Sequence, residues 1–270
     1  MVSKIAVIGA GMMGGAIVKS LVKGGYKGRI IVADAEEERL IEMNALGVSA
    51  TSDNQKAAAQ ADIIFIVVKP IDVAKVLKGI SQELRGKLVI SAAATVPLGF
   101  LKKILPNTKF VRIMPNLAAL VQAAYVAYTC DKDVTRKDKK EINSLLGMMG
   151  VSEEIEEKYM DAITGLSGSG PGYLSIIVEA LMQAGLKVGL PRNIALNSAA
   201  QTVLGTGKLV IDLKEDPAKI RDMVTTPGGT TIAAIYELEG SQVRQALMRA
   251  VEEAAKKSQA IREKLGMNQS

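Results

Sequence analysis

The stretch Ile5-Ala-Val-Ile-Gly-Ala-Gly-Met-Met-Gly14 decides how the chain folds. Residues 5–8 are a short, uniformly apolar run, as expected of a strand buried on both faces of a parallel sheet. The run passes straight into Gly9, Gly11 and Gly14, spaced as G-x-G-x-x-G. From Gly11 to Val22, Met13, Ile17 and Leu21 recur on one helical face. Strand, glycine turn and helix in that order form a dinucleotide-binding fingerprint. Gly9 allows the tight turn, Gly11 lets the backbone approach a pyrophosphate, and Gly14 lets the helix pack on the strand. Free N–H groups at the helix N-terminus then face the phosphates, with Ala10, Met12 and Met13 completing the cofactor-binding turn.

The pattern repeats outward from this motif. Further strands are expected at 29–33, 63–68 and 88–92, with the last strands at 110–114 and 125–129. Helices are expected at 36–46 and 137–149. Strands alternating with helices predict an α/β fold, a Rossmann-type doubly wound sheet. From about Leu166 no strand is legible. Helices are expected at 171–188, from Pro191 to about Val210, after the Asp216-Pro217 cap, and after Ser241, where Val243, Leu247, Ala250, Val251 and Ala254 keep helical spacing. The expected division is a dinucleotide-binding domain at 1–164 and an all-α substrate-binding and dimerisation domain at 165–270. The helix at 171–188 is apolar on nearly all sides and must be buried on all sides. A sheetless domain of this size cannot do that alone, which predicts burial against a second subunit.

Composition narrows the chemistry. The chain has no histidine and one cysteine, Cys130, so His-based catalysis and intrachain disulfides are excluded and no metal site is expected. Cys130 is expected to be a small core residue. The formal charge of +6 is spread along the chain, with no basic run interleaved with aromatics, so no nucleic-acid partner is expected. No apolar run is long enough to span a bilayer, so no membrane partner is expected. The apolar N-terminus is explained by the cofactor turn rather than a signal peptide, and a cytoplasmic location is expected.

Other motifs sit where ligands bind in open α/β sheets, past the carboxyl ends of strands. Asp34 follows the second strand, twenty residues after Gly14. It suits an acceptor for the adenosine ribose hydroxyls and equally a turn or cap residue. As a ribose acceptor it would repel a 2′-phosphate, since two charges about 4 Å apart interact by about 1 to 4 kcal/mol between water-like and surface dielectrics. Val68-Lys69-Pro70 ends a third strand, residues 91–95 follow a fourth, and Met114-Pro115-Asn116 ends a fifth, where Asn116 could bond a nicotinamide carboxamide. In the helical half, Ser167 to Tyr173 reads S-G-S-G-P-G-Y and Thr225 to Thr231 reads T-T-P-G-G-T-T. A Pro-Gly-Gly turn before a helix exposes backbone N–H groups suited to a carboxylate. Thr226, Thr230 and Thr231 add hydroxyl donors.

With these motifs in order, the chain closely resembles the pyrroline-5-carboxylate reductases over nearly its whole length. The most specific match is D-M-V-T-T-P-G-G-T-T-I-A-A-I-Y-E-L-E, Asp222 to Glu239, supported by Thr164 to Tyr173, by Gly189 to Arg192 and by Val68 to Pro70. The resemblance implies a Rossmann domain, a helical domain that interlocks in a dimer, and further assembly, typically to a decamer. It implies NAD(P)H-dependent reduction of 1-pyrroline-5-carboxylate to L-proline, the last step of proline biosynthesis. By position, Gly228, Gly229, Thr230 and Thr231 would hold the substrate carboxylate and ring nitrogen. Glu157 would contact substrate from a neighbouring subunit, and Asn54, Val68, Lys69, Pro70 and Ala94 would line the cofactor. Thr231 is the candidate catalytic hydroxyl. The missing histidine fits, because a protonated cyclic imine needs only a hydride at carbon and no strong base.

The chain departs from the family pattern in places. Thr95 replaces a usual glycine, and Leu117 and Ala118 replace a usual Thr-Pro. Asp34 stands where many members carry a residue that tolerates a 2′-phosphate, so NADH use is expected alongside NADPH. Two other enzymes fit the Rossmann-plus-helices outline: a reductase of a related cyclic imine acid and a β-hydroxyacid dehydrogenase. The latter needs a lysine on the helix after its glycine motif, and here none occurs between Gly170 and Lys187. A non-catalytic dinucleotide-binding protein is disfavoured by the intact Thr225–Thr231 turn.

Overall fold

The computed structural model describes residues 2–267. Among them, eight strands form one sheet: β1 (Ile5–Ile8), β2 (Ile30–Ala33), β3 (Ser49–Thr51), β4 (Ile63–Ile66), β5 (Leu88–Ser91), β6 (Lys109–Met114), β7 (Ala124–Cys130) and β8 (Gly150–Glu154). Across the sheet they run β3-β2-β1-β4-β5-β6-β7-β8. Every pairing is parallel except that of β6 with β7. The chain winds outward from β1 in both directions, and the reversal falls between β1 and β4. This is the doubly wound sheet expected.

Period-two geometry explains why the strands read as continuous apolar runs. Ile5, Val7, Phe65 and Ile90 join one core with residues of the helices Met12–Lys23 and Arg136–Gly147. Their neighbours Ala6, Ile8, Ile66 and Val89 join a second core with the helices Val73–Gly79 and Leu98–Ile104. Both faces are covered, so both sets of alternate residues must be apolar.

Two strands escape the sequence pattern. β3 is a three-residue edge of half-buried Ser, Ala and Thr. β8 corrects the expectation that the sheet ends at β7, because Gly150–Glu154 pairs with it in parallel. As an edge strand β8 keeps Val151, Glu153 and Glu154 exposed and shows no apolar run. Gly150, at φ +148°, is required there, since a Cβ would lie 2.1 Å from the Ala124 carbonyl oxygen.

The chain divides into two compact units. One holds residues up to Gly170 and those from Val251 onward, and the other is Pro171–Ala250. The expected division at 164/165 put everything from 165 onward in one domain, whereas here the helix Val243–Lys264 is shared and its second half belongs to the sheet-bearing unit. There the Ser258 hydroxyl donates to Asp161 at 2.7 Å and Arg262 Nη2 lies 3.1 Å from the same carboxylate.

The second unit is helical, as expected, with a small core of Met182, Ala195 and Ala199 against Val178. The helix Gly170–Lys187 buries little of its apolar surface within one chain: Leu174 is 51% and Ile176 64% exposed.

One charge is built into the sheet core. Arg112 of β6 is fully buried, and its Nη1 donates to Glu157 Oε1 at 3.1 Å. The same carboxylate oxygen accepts the Leu98 N–H at 2.7 Å, tying β6 to the start of the helix Leu98–Ile104. Burial pulls the guanidinium's pKa down while Glu157 opposes that shift; an arginine stays cationic regardless. Replacing Arg112 with Met should cost about 3 kcal/mol, the low end for breaking a buried pair, because Glu157 keeps some access to water. Urea unfolding of R112M reads this directly; a loss below about 1 kcal/mol, the scale of an exposed pair, would deny the pair its role.

Candidate functional site

The glycine turn is shaped by contacts no side chain could survive. Gly9 has φ +100°, and a Cβ there would lie 2.4 Å from the Val67 carbonyl oxygen. A Cβ on Gly14 would lie 1.9 Å from the Gly9 carbonyl oxygen. At Gly11 the space a Cβ would occupy is clear for 4 Å. Gly11 caps the helix Met12–Lys23 without a side-chain hydrogen bond, so the helix N-terminus is open. A clear approach and uncapped N–H groups are the cradle a pyrophosphate requires. Met12 is exposed beside it, whereas Met13 packs against the core.

Beside the turn lies a cleft of about 870 Å³. Of the expected cofactor residues, Gly9, Gly11, Asp34, Asn54, Val68 and Lys69 line it together. Asp34 combines its two sequence readings: it faces the cleft, and Oδ1 accepts the Glu36 N–H at 2.9 Å in a local turn. Its Oδ2 accepts the Ala10 N–H at 2.6 Å, so the carboxylate also braces the glycine turn. That engages the Ala10 N–H, which the sequence left free for phosphate. Glu36 and Asp53 line the same cleft, and sequence reasoning missed both. Asp53 had a visible signal, as the cap of the helix Asn54–Ala59, where it accepts the Lys56 N–H.

Beyond the cleft, Pro70 starts a single 3₁₀ turn, Pro70–Asp72. Ala94 packs against Met114, Ala127 and Met160 past the end of β5. Asn116 is engaged at both ends of its amide: Oδ1 accepts the Ala118 N–H, and Nδ2 donates to Ser167 O at 3.0 Å and Oγ at 3.2 Å. A nicotinamide could gain Asn116's N–H groups only by displacing Ser167. Thr95 is buried at φ +68°, with a hydroxyl that has no hydrogen-bond partner. The strained backbone costs about 1–3 kcal/mol and the unpaired hydroxyl a similar amount. Half-buried Cys130 is no nucleophile, since burial pushes its thiol up to about 12.

In the helical unit the Thr225–Thr231 turn has its own geometry. Gly228 sits at φ +68°, and the Gly229 N–H donates to the Thr226 carbonyl at 3.0 Å. A Cβ on Gly229 would lie 2.4 Å from the Thr226 hydroxyl oxygen. Gly229 caps the ten-residue helix Thr230–Glu239 without a side-chain hydrogen bond. Thr226, Gly228 and Thr230 are exposed and Thr231 is half-buried, so the helix N-terminus opens on a surface of threonine and glycine. Glu157 is held in its own chain by Arg112 and the Leu98 N–H.

Two family models match the chain. One, described as pyrroline-5-carboxylate reductase dimerisation, spans residues 157–261. The other, described as NADP oxidoreductase coenzyme F420-dependent, spans residues 4–95. The pyrroline-5-carboxylate reductase of Methanosarcina acetivorans is 38% identical, over 97% of this chain and 98% of that protein. The chain belongs to the pyrroline-5-carboxylate reductase family. The Plasmodium falciparum pyrroline carboxylate reductase, crystallised with NADP bound, aligns at TM-score 0.87 and 32% identity over 96% of this chain and 97% of the other. The reductase from Coxiella burnetii aligns at TM-score 0.88 and 31% identity, covering 96% and 98%. Among the described residues no helix is long and apolar enough to cross a membrane, and no three acidic or thiol side chains cluster as a metal site would require.

Gly11 separates cofactor binding from folding in this reductase-family chain. Gly11→Ala should melt within a few degrees of the parent, since its Cβ meets no protein atom. Its affinity for dinucleotides should fall by about tenfold or more, because the methyl group occupies the pyrophosphate's approach. Unchanged NADH and NADPH affinities in isothermal titration would place the pyrophosphate elsewhere.

Proposed function

We propose that this protein reduces 1-pyrroline-5-carboxylate to L-proline with a reduced nicotinamide dinucleotide. The observation that carries this reading is the near full-length likeness to pyrroline-5-carboxylate reductases, with the uncapped Pro227-Gly228-Gly229 turn intact. The reduced nicotinamide supplies a hydride to the imine carbon, and the ring nitrogen ends as an amine carrying its proton. A cyclic imine bound in its protonated form takes the hydride directly, so the chain needs to supply no strong base. The enzyme's contribution is to position the two reactants and exclude water. The Gly229 and Thr230 region, at the positive end of its helix, suits the substrate carboxylate. Thr226 adds a hydroxyl to the same turn. The Thr231 hydroxyl is the candidate to accept a hydrogen bond from the iminium N–H; hydride addition then gives the neutral amine directly, and any further proton is taken up by the product amine after the step.

The cofactor reading follows from charge. Asp34, Glu36 and Asp53 line the cleft, and Asp34 is pinned by two backbone N–H groups. A 2′-phosphate there would face the pinned Asp34 carboxylate, so NADH should be used at least as well as NADPH. Glu157 belongs to this reading only if a second copy brings substrate to it; within its own chain it braces β6.

The helical unit leaves Leu174, Ile176, Leu204 and Ile211 exposed, more apolar surface than a single chain normally leaves open. A second copy of this chain is the covering partner, and dimers assembled further into a decamer are the proposed working form. The cell compartment proposed is the cytoplasm.

Reduction should be fast with 1-pyrroline-5-carboxylate and much slower with the six-membered analogue, measured as dinucleotide oxidation. Asp34→Ser should shift the ratio of kcat/KM values towards NADPH, and it should also loosen the glycine turn for both cofactors. A hundredfold preference of the parent protein for NADPH would reject the charge argument. In sedimentation at micromolar concentration the protein should be a dimer or larger, and a well-folded monomer would reject the second copy.

A further inference from the structure

Four buried side-chain atoms among the described residues lack a hydrogen-bond partner: Glu83 Oε2, Thr95 Oγ1, and Arg112 Nε and Nη2. Arg112 lies inside β6, and Glu83 precedes β5 on the amino side of the sheet. Thr95 alone lies past the carboxyl end of a strand, in the turn between β5 and the helix Leu98–Ile104. It is also a β-branched residue at φ +68°, a conformation that glycine adopts freely and threonine rarely does. Two independent costs therefore meet at one residue. Neither is repaid within the chain: the hydroxyl bonds nothing, and the side chain is only 4% exposed.

The topology says what a hydroxyl in this place can meet. A dinucleotide crosses the carboxyl edge of such a sheet where the strand order reverses, here between β1 and β4. The glycine turn follows β1 and Asp34 follows β2, so the adenosine half of a dinucleotide would lie on that side. The nicotinamide half would then lie over the carboxyl ends of β4 and β5, the end that carries Thr95. A carboxamide offers one carbonyl acceptor and two N–H donors, and a hydroxyl can answer either. Asn116, a side-chain amide past the carboxyl end of β6 that could do the same, is already bonded to Ala118 and Ser167.

We propose that Thr95 Oγ1 hydrogen-bonds the carboxamide of the bound nicotinamide and so fixes the ring's orientation. The assignment rests on the reductase reading, and it is particular to this chain's threonine. The strained turn holds the hydroxyl where a glycine would leave the carboxamide without a side-chain partner.

The test compares NADH with ADP-ribose, which shares everything but the nicotinamide. Thr95→Val keeps the side chain's shape and loses the hydroxyl. It should weaken NADH binding about tenfold in titration while leaving ADP-ribose affinity unchanged, the scale of one lost hydrogen bond. Thr95→Ser should stay within about threefold of the parent for both ligands. Thr95→Gly should melt higher, because the backbone is relieved, yet lose NADH affinity as the valine variant does; it carries the test alone if Thr95→Val fails to fold. The proposal is overturned if the hydroxyl-free variants bind NADH like the parent, or if they lose NADH and ADP-ribose equally. A parent protein that binds no ADP-ribose would instead overturn the dinucleotide reading beneath it.

Discussion

Gly14 sits so close to the Gly9 carbonyl that an added Cβ would lie 1.9 Å from the oxygen, and Gly9 in turn presses on the Val67 backbone. This close passage of the first helix over the ends of β1 and β4 is the constraint on which the site depends. It brings the helix down onto the sheet so that Ile17 and Leu21 reach the core. It also aims the uncapped N-terminus of Met12–Lys23 along the edge where the cleft opens. Asp34 locks the arrangement from β2 through the Ala10 N–H. One carboxylate thus joins two strand ends, shapes the turn and sets the charge of the cleft.

The rest of the sheet-bearing unit supports that edge. Alternation along the strands feeds two apolar cores, one per face. Between β6 and the helix Leu98–Ile104 the structure uses a buried ion pair instead. Such a pair stabilises little over an apolar replacement, but losing one partner is expensive. Arg112 and Glu157 link β6 to the entry of that helix through the Leu98 N–H. The preceding turn holds Thr95, and there the chain accepts strain and an unpaired hydroxyl. Strain of this kind clusters at ligand sites, where binding can repay it.

Much of this was legible before the structure. The glycine spacing, the apolar strands and the Asp216-Pro217 cap are local signals, and each formed as read, with Asp216 accepting the Ala218 N–H. The misses have two causes. β8 is an edge strand, and an edge strand need not be apolar. The engagement of Asn116 by Ser167 joins residues far apart in the chain, as does that of Glu157 by Arg112. The helix Gly170–Lys187, by contrast, was expected to be buried against a second subunit, and its exposure within one chain agrees with that expectation. Its composition described an assembly rather than a subunit.

The sequence by itself determined the α/β fold, the dinucleotide turn, the helical second half, and the family likeness that points to a cyclic imine acid. These follow from residue type and spacing, which act over one or two helical turns or a single strand-turn-helix unit. Only the tertiary structure decided which polar groups remain free for a ligand. It gave the Ala10 N–H to Asp34 and the Asn116 amide to Ser167, and left the Thr95 hydroxyl with no partner. The physical reason is that hydrogen bonds are satisfied through space, between segments that the chain order keeps apart.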